Sequence, residues 1–230
     1  MVLGVTGYSL FPFPHGWRRI AAPVGRKIMR DRAEASVIEV YGRHGAAWAK
    51  LRGDRPTEGA WLDRFCDRLP AAASVLDIGC GSGLPIARVL ARRGFDVTGV
   101  DASPTMLALF RRNLPDAPAL LADMRRLALG RRFDGLLAWD SFFHLGPKDQ
   151  RGMFARFQAH AASRAVLMFT SGHAEGCAMG ELEGEPLYHG SLGPDEYRML
   201  LDEAGFDVLE HVAEDPGCGR RTVWLARKRA

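Results

Sequence analysis

Long apolar runs are missing from this chain of 230 residues. No stretch approaches the roughly 20 residues that a membrane-spanning helix needs, so a membrane partner is not expected. Cysteine is scarce. The four cysteines, at positions 66, 80, 177 and 218, show neither the spacing of metal ligands nor that of a disulfide framework. No metal is expected, and a reduced, cytoplasmic setting is. The opening Met1–Leu10 is apolar but has no basic residue ahead of it, and Pro12 and Pro14 interrupt the chain just beyond it, so it reads poorly as a secretory leader. Internal repeats and low-complexity tracts are also absent, which removes solenoids and long linkers.

Acidic residues are absent from one region in particular. Residues 220–230 hold five basic side chains and no acid, and residues 1–56 hold ten against four. The span 57–219 is the reverse, with sixteen basic and twenty-three acidic residues, a net charge of −7 under an overall +4. An enzyme acting on nucleic acid gathers cations around its catalytic mouth to neutralise phosphates. An acidic centre argues against that substrate.

What is present is an alternation of elements. At 47% hydrophobic the chain can bury one good core. Apolar runs near 74–79, 95–100, 118–122, 133–139 and 165–170 predict strands. Helical patterns fall near 84–93, 104–113, 147–160 and 195–204. Strand–helix alternation of this kind predicts an α/β fold, a doubly wound, mostly parallel sheet with helices on both faces. Gly205 ends the last helix, and Phe206–Val212 and Arg221–Ala226 predict a final antiparallel strand pair. Ahead of the alternation, residues 1–28 show no sustained period, a helical stretch runs from Arg30 to Leu51, and Thr57 is placed to cap a helix through Trp61, Leu62 and Phe65 to Leu69. The expected division is an N-terminal extension with lid helices over 1–56, its first 28 residues dispensable, and a main domain over 57–230.

The most informative segment is Val75-Leu-Asp-Ile-Gly-Cys-Gly-Ser-Gly-Leu84. A buried strand runs into Gly79, Gly81 and Gly83 and then a helix, the arrangement that lets a ligand approach backbone N–H groups. Asp77 sits inside the strand, and Asp101 closes the next one, about the separation at which a nucleotide site places a carboxylate on ribose hydroxyls. A dinucleotide site needs G-x-G-x-x-G, but the third glycine position is Leu84. An acid followed by G-x-G-x-G instead resembles motif I of the class I S-adenosylmethionine-dependent methyltransferases, and Ala122-Asp123-Met124 closes a third strand in the same series. The resemblance covers roughly Glu58 to Trp224 and is strong up to Thr170.

The resemblance implies a seven-stranded sheet with its last strand pair antiparallel, S-adenosyl-L-methionine as cofactor, and a small-molecule methyl acceptor. It implies that the glycine loop and Asp77 face the amino-acid end of the cofactor and that Asp101 takes the ribose hydroxyls. Asp123 and the backbone of Met124 would meet the adenine, and Met106 lies either beside it or in the core. After strand four, Trp139 and Asp140 would reach the amino-acid end. His144 is the candidate general base, since an imidazole titrates near neutrality; scaffold packing is the alternative for it. Tyr41 and Trp48, seven apart on one helical face, would form a lid. Residues 170–190 read as a long glycine-rich loop walling the substrate, with His173, Glu175, Tyr188 and His189 as contacts. The rival readings are an RNA methyltransferase, a non-catalytic S-adenosylmethionine-binding protein, and a nicotinamide oxidoreductase.

Overall fold

The computed structural model describes residues 26–230, with side chains from residue 30. The expectations for the first 25 residues lie outside the described part. The chain forms α1 (Arg26–Arg52), α2 (Gly59–Cys66), β1 (Ser74–Ile78), α3 (Ile86–Arg92), β2 (Asp96–Asp101), α4 (Pro104–Asn113), β3 (Ala119–Leu121), β4 (Phe133–Ala138), α5 (Pro147–His160), β5 (Ala161–Ser171), β6 (Gly176–Leu182), β7 (Glu185–Ser191), α6 (Pro194–Glu203), β8 (Phe206–Asp215) and β9 (Arg221–Lys228). Seven strands make one sheet in the order β3-β2-β1-β4-β5-β9-β8. The first five run parallel, and β9 pairs antiparallel with both β5 and β8.

The expected parallel strands and their helices are all present; the apolar runs of β1, β2, β4 and β5 are largely buried, while β3 at the sheet edge leaves Leu120 and Leu121 exposed. One face packs Leu76, Leu136, Phe142, Phe157, Phe169 and Trp224 against α5 and α6. The other packs Val75, Leu90, Phe110, Leu137 and Val166 against α2, α3 and α4. A third, smaller cluster joins Ala33, Val37 and Val40 of α1 to Met179, Leu182, Leu187 and Tyr188. It sits over the edge where β1, β2, β3 and β4 end.

Three expectations are corrected. Residues 170–190 are not a loop: β6 and β7 pair in register from Gly176–Ser191 to Leu182–Glu185. The turn is Glu183-Gly184, both with positive φ (51° and 82°), the backbone that a two-residue hairpin needs. The hairpin persists because α1 covers one of its faces. Thr57 does not cap α2; Glu58 takes that position without a side-chain cap, and the Thr57 hydroxyl donates to the Glu58 carboxylate at 3.0 Å. The helix also ends at Cys66 rather than Leu69. Finally, α1 starts at Arg26, ahead of the Arg30 expected from the periodicity.

Candidate functional site

The site begins where β1 ends. Gly79 and Cys80 both donate to the Val100 carbonyl, at 2.7 and 3.0 Å, so the glycine loop folds back against the end of β2. There Asp101 accepts from the Gly81 N–H at 2.9 Å and the Ser103 N–H at 2.8 Å. The three glycines have different reasons to be glycine, although all have positive φ. A Cβ on Gly79 would come within 2.3 Å of Ser141, and one on Gly83 within 2.6 Å of Leu114, but one on Gly81 would enter open space. Gly79 and Gly81 line a cleft, with an empty volume of about 850 Å³ counting its open mouth, and Gly83 is not among the lining residues. Gly83 is held to glycine by packing against α4.

Among the described residues, the carboxylates around this loop have no compensating cation. Burial first, and the Asp101 charge second, push Asp77 up to about 7. Asp101 is also raised by burial, and its three backbone hydrogen bonds only partly offset that. Ser103 caps α4 by accepting from the Met106 N–H at 3.3 Å, with Pro104 following. Asp101 is therefore free of the capping duty. Met106 is buried and lines the cleft, as do Asp123 and Met124. Asp123 differs from Asp101. Burial raises it, but the hydrogen bonds of Arg125 win and hold it below the usual carboxylate range; the closest of them is 2.6 Å.

After β4 the backbone is strained. Asp140 has φ +48°, a conformation that costs of order 1–3 kcal/mol for a residue with a side chain and recurs at functional sites. Its N–H donates to Thr170 Oγ1 at 2.9 Å. Its carboxylate lies in the cleft wall and receives Arg221 through Nε at 2.9 Å and a terminal nitrogen at 2.7 Å. Burial would raise this acid, yet the Arg221 charge holds it below its ordinary value. Trp139 points the other way, into the core beside Leu137 and Met168. Sequence reasoning missed Arg221, whose only signal is a charge opening the otherwise apolar run of β9. It also missed Ser141, whose hydroxyl donates to the Ile78 carbonyl at 2.7 Å and wedges against Gly79.

His144 lies on the cleft wall, buried to 8% exposure. Its Nδ1 is 2.9 Å from the Tyr188 carbonyl and its Nε2 is 3.0 Å from the Tyr41 hydroxyl. A carbonyl only accepts, so Nδ1 carries the proton and Nε2 receives the Tyr41 O–H. Burial pushes the imidazole down to about 4. Tyr41, Trp48 and Glu34 of α1 complete the cleft. Glu34 is raised by burial first and then by the Asp149 charge. Of the four residues expected as substrate contacts, none lines the cleft. Tyr188 holds His144 through its backbone, while its ring packs under α1. His189 stacks beside His144, ring centroids 4.9 Å apart. Glu175 is exposed and His173 half-buried on the stretch before β6.

A mostly parallel sheet in this order, with a glycine loop and an acid after β2 at its carboxyl edge and α1 above them, is the class I methyltransferase fold. Residues 75–163 match the protein family described as a methyltransferase domain. Over 101 residues the chain is 40% identical to dTDP-3-amino-3,6-dideoxy-alpha-D-glucopyranose N,N-dimethyltransferase of Streptomyces fradiae, covering 43% of this chain and 39% of that protein. The chain thus spans about two fifths of the length of this curated relative. Among solved structures it is similar to CalS10, an amino pentose methyltransferase of Micromonospora echinaspora with S-adenosylmethionine bound (TM-score 0.63, 23% identity, 81% of this chain and 96% of that one). It is also similar to the 1,6-didemethyltoxoflavin-N1-methyltransferase of Burkholderia thailandensis (TM-score 0.65, 21% identity, 93% and 95%).

The residues present fit S-adenosylmethionine. Gly81 leaves a backbone cradle that a side chain would fill. Asp77 and Asp101 offer buried acceptors that lack a counter-charge, and the ligand carries an ammonium, a sulfonium and two ribose hydroxyls.

Proposed function

We propose that the chain binds S-adenosyl-L-methionine in this cleft and catalyses transfer of its methyl group to the oxygen or nitrogen of a small-molecule acceptor. The observation that carries the reading is the meeting, in one cleft, of the glycine loop, Asp101 and the Tyr41–His144 pair. In this reading Asp101 accepts the ribose hydroxyls, the Gly79–Gly81 backbone and Asp77 face the amino-acid end with Asp140, and Met106, Asp123 and Met124 border the adenine. Trp139 contributes from behind the wall. The relative from Streptomyces fradiae, named for N,N-dimethylation of an amino sugar, supports a small acceptor. Four free thiols support a reducing, cytoplasmic setting, and among the described residues no helix is long and apolar enough to cross a membrane.

The bound cofactor supplies a methyl group already activated by its sulfonium. The chain's own task is alignment and exclusion of water. Tyr41 gives its proton to His144 Nε2 in a hydrogen bond, which leaves the phenol oxygen free to accept from the N–H or O–H of an acceptor. That fixes the direction of the acceptor's lone pair. His144 at about 4 is a weak proton store at neutral pH, so orientation outweighs general-base catalysis here. The Tyr188 carbonyl sets the tautomer that the pair requires. His189 supports the ring, while His173 and Glu175, on the stretch before β6, have no part in this reading of the cleft.

The test is twofold. Calorimetry with S-adenosylmethionine and with NAD separates this reading from an oxidoreductase: binding of the first alone is expected. Turnover of labelled methyl donor in metabolite extracts, with mass detection of the product, then separates an enzyme from a binding protein. Methylation confined to added RNA would favour the rival nucleic-acid reading.

A further inference from the structure

The basic residues that close the sequence take no part in the cleft, apart from Arg221. They lead to the opposite edge of the sheet, where β1, β4 and the parallel part of β5 begin and β9 ends. A second cavity opens there, with an empty volume of about 590 Å³ counting its mouth, lined by Arg68, Arg164 and Arg227 with Asp134 and Ser163.

The wall is irregular where it matters. Between the pairs Phe133–Ala161 and Gly135–Val166, β4 advances two residues while β5 advances five. The surplus bulges out of the sheet, and bulges of this kind re-aim side chains. Arg164 lies in the bulge with φ +62° and is exposed. Arg227 donates one terminal nitrogen to the Arg68 carbonyl at 3.5 Å, but its Nε is buried with no hydrogen-bond partner. A buried donor left unmade is costly. Of the acids nearby, Glu210 is neutralised by two arginines, while Asp134 is tied down by neutral donors and keeps its charge in the cavity wall. Asp134 accepts from the Ser74 N–H at 2.9 Å and the Ser74 hydroxyl at 2.8 Å. Glu210 is shared between Arg64 at 3.0 Å and Arg68 at 2.7 Å. Residues 1–25 contain no Asp or Glu that could serve as the missing anion.

We propose that this cavity is an anion site for a phosphate group, with Arg164 and Arg227 as its principal donors. The planar forks of arginine match tetrahedral oxyanions, and Arg227 offers the cavity its terminal nitrogens, since its Nε is closed off from it. Two sources share this chemistry, inorganic phosphate and the phosphate monoester of a small metabolite. Both would bind without touching the methyl-transfer cleft.

Titration calorimetry on the full chain, at fixed ionic strength in chloride, tests this with inorganic phosphate in one arm and glucose 6-phosphate in the other. Saturable binding of one equivalent is expected in at least one arm, and the tighter arm identifies the source. Arg164→Ala and Arg227→Lys should each weaken it about tenfold, the scale of losing a charge-assisted hydrogen bond. S-adenosylhomocysteine affinity, measured on the same samples, should not change, which reports that both variants are folded. Absence of saturable binding in both arms overturns the proposal. So does phosphate affinity that both variants retain, or binding seen only with an RNA oligomer.

Discussion

Four carboxylates at the strand ends, with Asp101, Asp123 and Asp140 lining the cleft and Asp77 buried behind its glycine loop, fall into two groups that the fold treats oppositely. On the β1–β2 side, Asp77 and Asp101 are buried without a cationic partner, and both are raised. On the β3–β4 side, Asp123 and Asp140 are gripped by Arg125 and Arg221, and both are lowered. The first pair holds unused acceptor capacity and favours a cationic, hydroxyl-bearing ligand. The second is internally neutralised and acts as wall. Charge count alone would treat the four as equals; their partners separate them.

The sharpest way to break this contrast is to remove the cation from the neutralised side. Arg221→Ala would leave Asp140 buried and unpaired, and losing one partner of a buried pair costs about 3–5 kcal/mol. Chemical denaturation is expected to report a loss of that size, with Arg221→Lys recovering part of it. A loss under about 1 kcal/mol would mean that water already shares the pair.

The opposite side makes a pH prediction. The Asp77 carboxyl titrates near 3.8 when unfolded and at about 7 in the fold. The native state therefore binds the proton more tightly. Its contribution to stability is complete below about pH 4 and is lost as the pH rises toward about 7. The loss should be on the order of 4 kcal/mol, and Asp77→Asn should remove this slope. Identical pH profiles for the two proteins would dismiss the unpaired character of Asp77.

Cofactor affinity is the next measure. Asp101→Ala should weaken S-adenosylmethionine binding by about 1–3 kcal/mol, the range for hydrogen bonds to a charged group. Asp123→Ala should cost less, because that carboxylate is already occupied by Arg125. Equal losses in calorimetry would erase the distinction between the two groups. A smaller effect belongs to the orienting pair: Tyr41→Phe should lower methyl transfer about tenfold while leaving cofactor affinity nearly intact. The smallest effect is expected from starting the chain at Met29, which removes three residues of α1; it should fold and bind cofactor with little change in melting temperature.

Much of the fold was legible because β1, β2 and β4 are short apolar runs bounded by glycine or acid, and two of the helices that follow them open on a proline. Pro104 and Ser103 marked α4, and Pro147 marked α5. The hairpin was hidden because its sequence is rich in Gly and Glu; its strandedness comes from α1, a contact between segments some 150 residues apart. The Glu183-Gly184 dipeptide between Leu182 and Leu187 was the available local signal. Cleft-lining positions such as Asp101 and Asp123 could be located because each follows a strand. Arg221 could not, because it reaches Asp140 across 81 positions. His144 could be named, but neither its tautomer nor its low proton affinity could, since both depend on the Tyr188 carbonyl and on burial.

The roof of the cleft has a consequence of its own. Helix α1 is tied on one side to the hairpin, through His44 and Glu185 at 2.6 Å, and on the other to α4, where the Thr105 hydroxyl donates to the Gly42 carbonyl at 2.7 Å. Between those moorings sits Tyr41, which belongs to the roof, while His144, which accepts its hydrogen bond, belongs to the wall. Door and latch are therefore one object. If α1 lifts to admit an acceptor or discharge a product, the phenol leaves the imidazole and the aligning contact is gone; when α1 settles, the contact re-forms. On the proposed function, an open protein is in this way an unaligned one, and the activated methyl group would meet an oriented acceptor only behind a closed door.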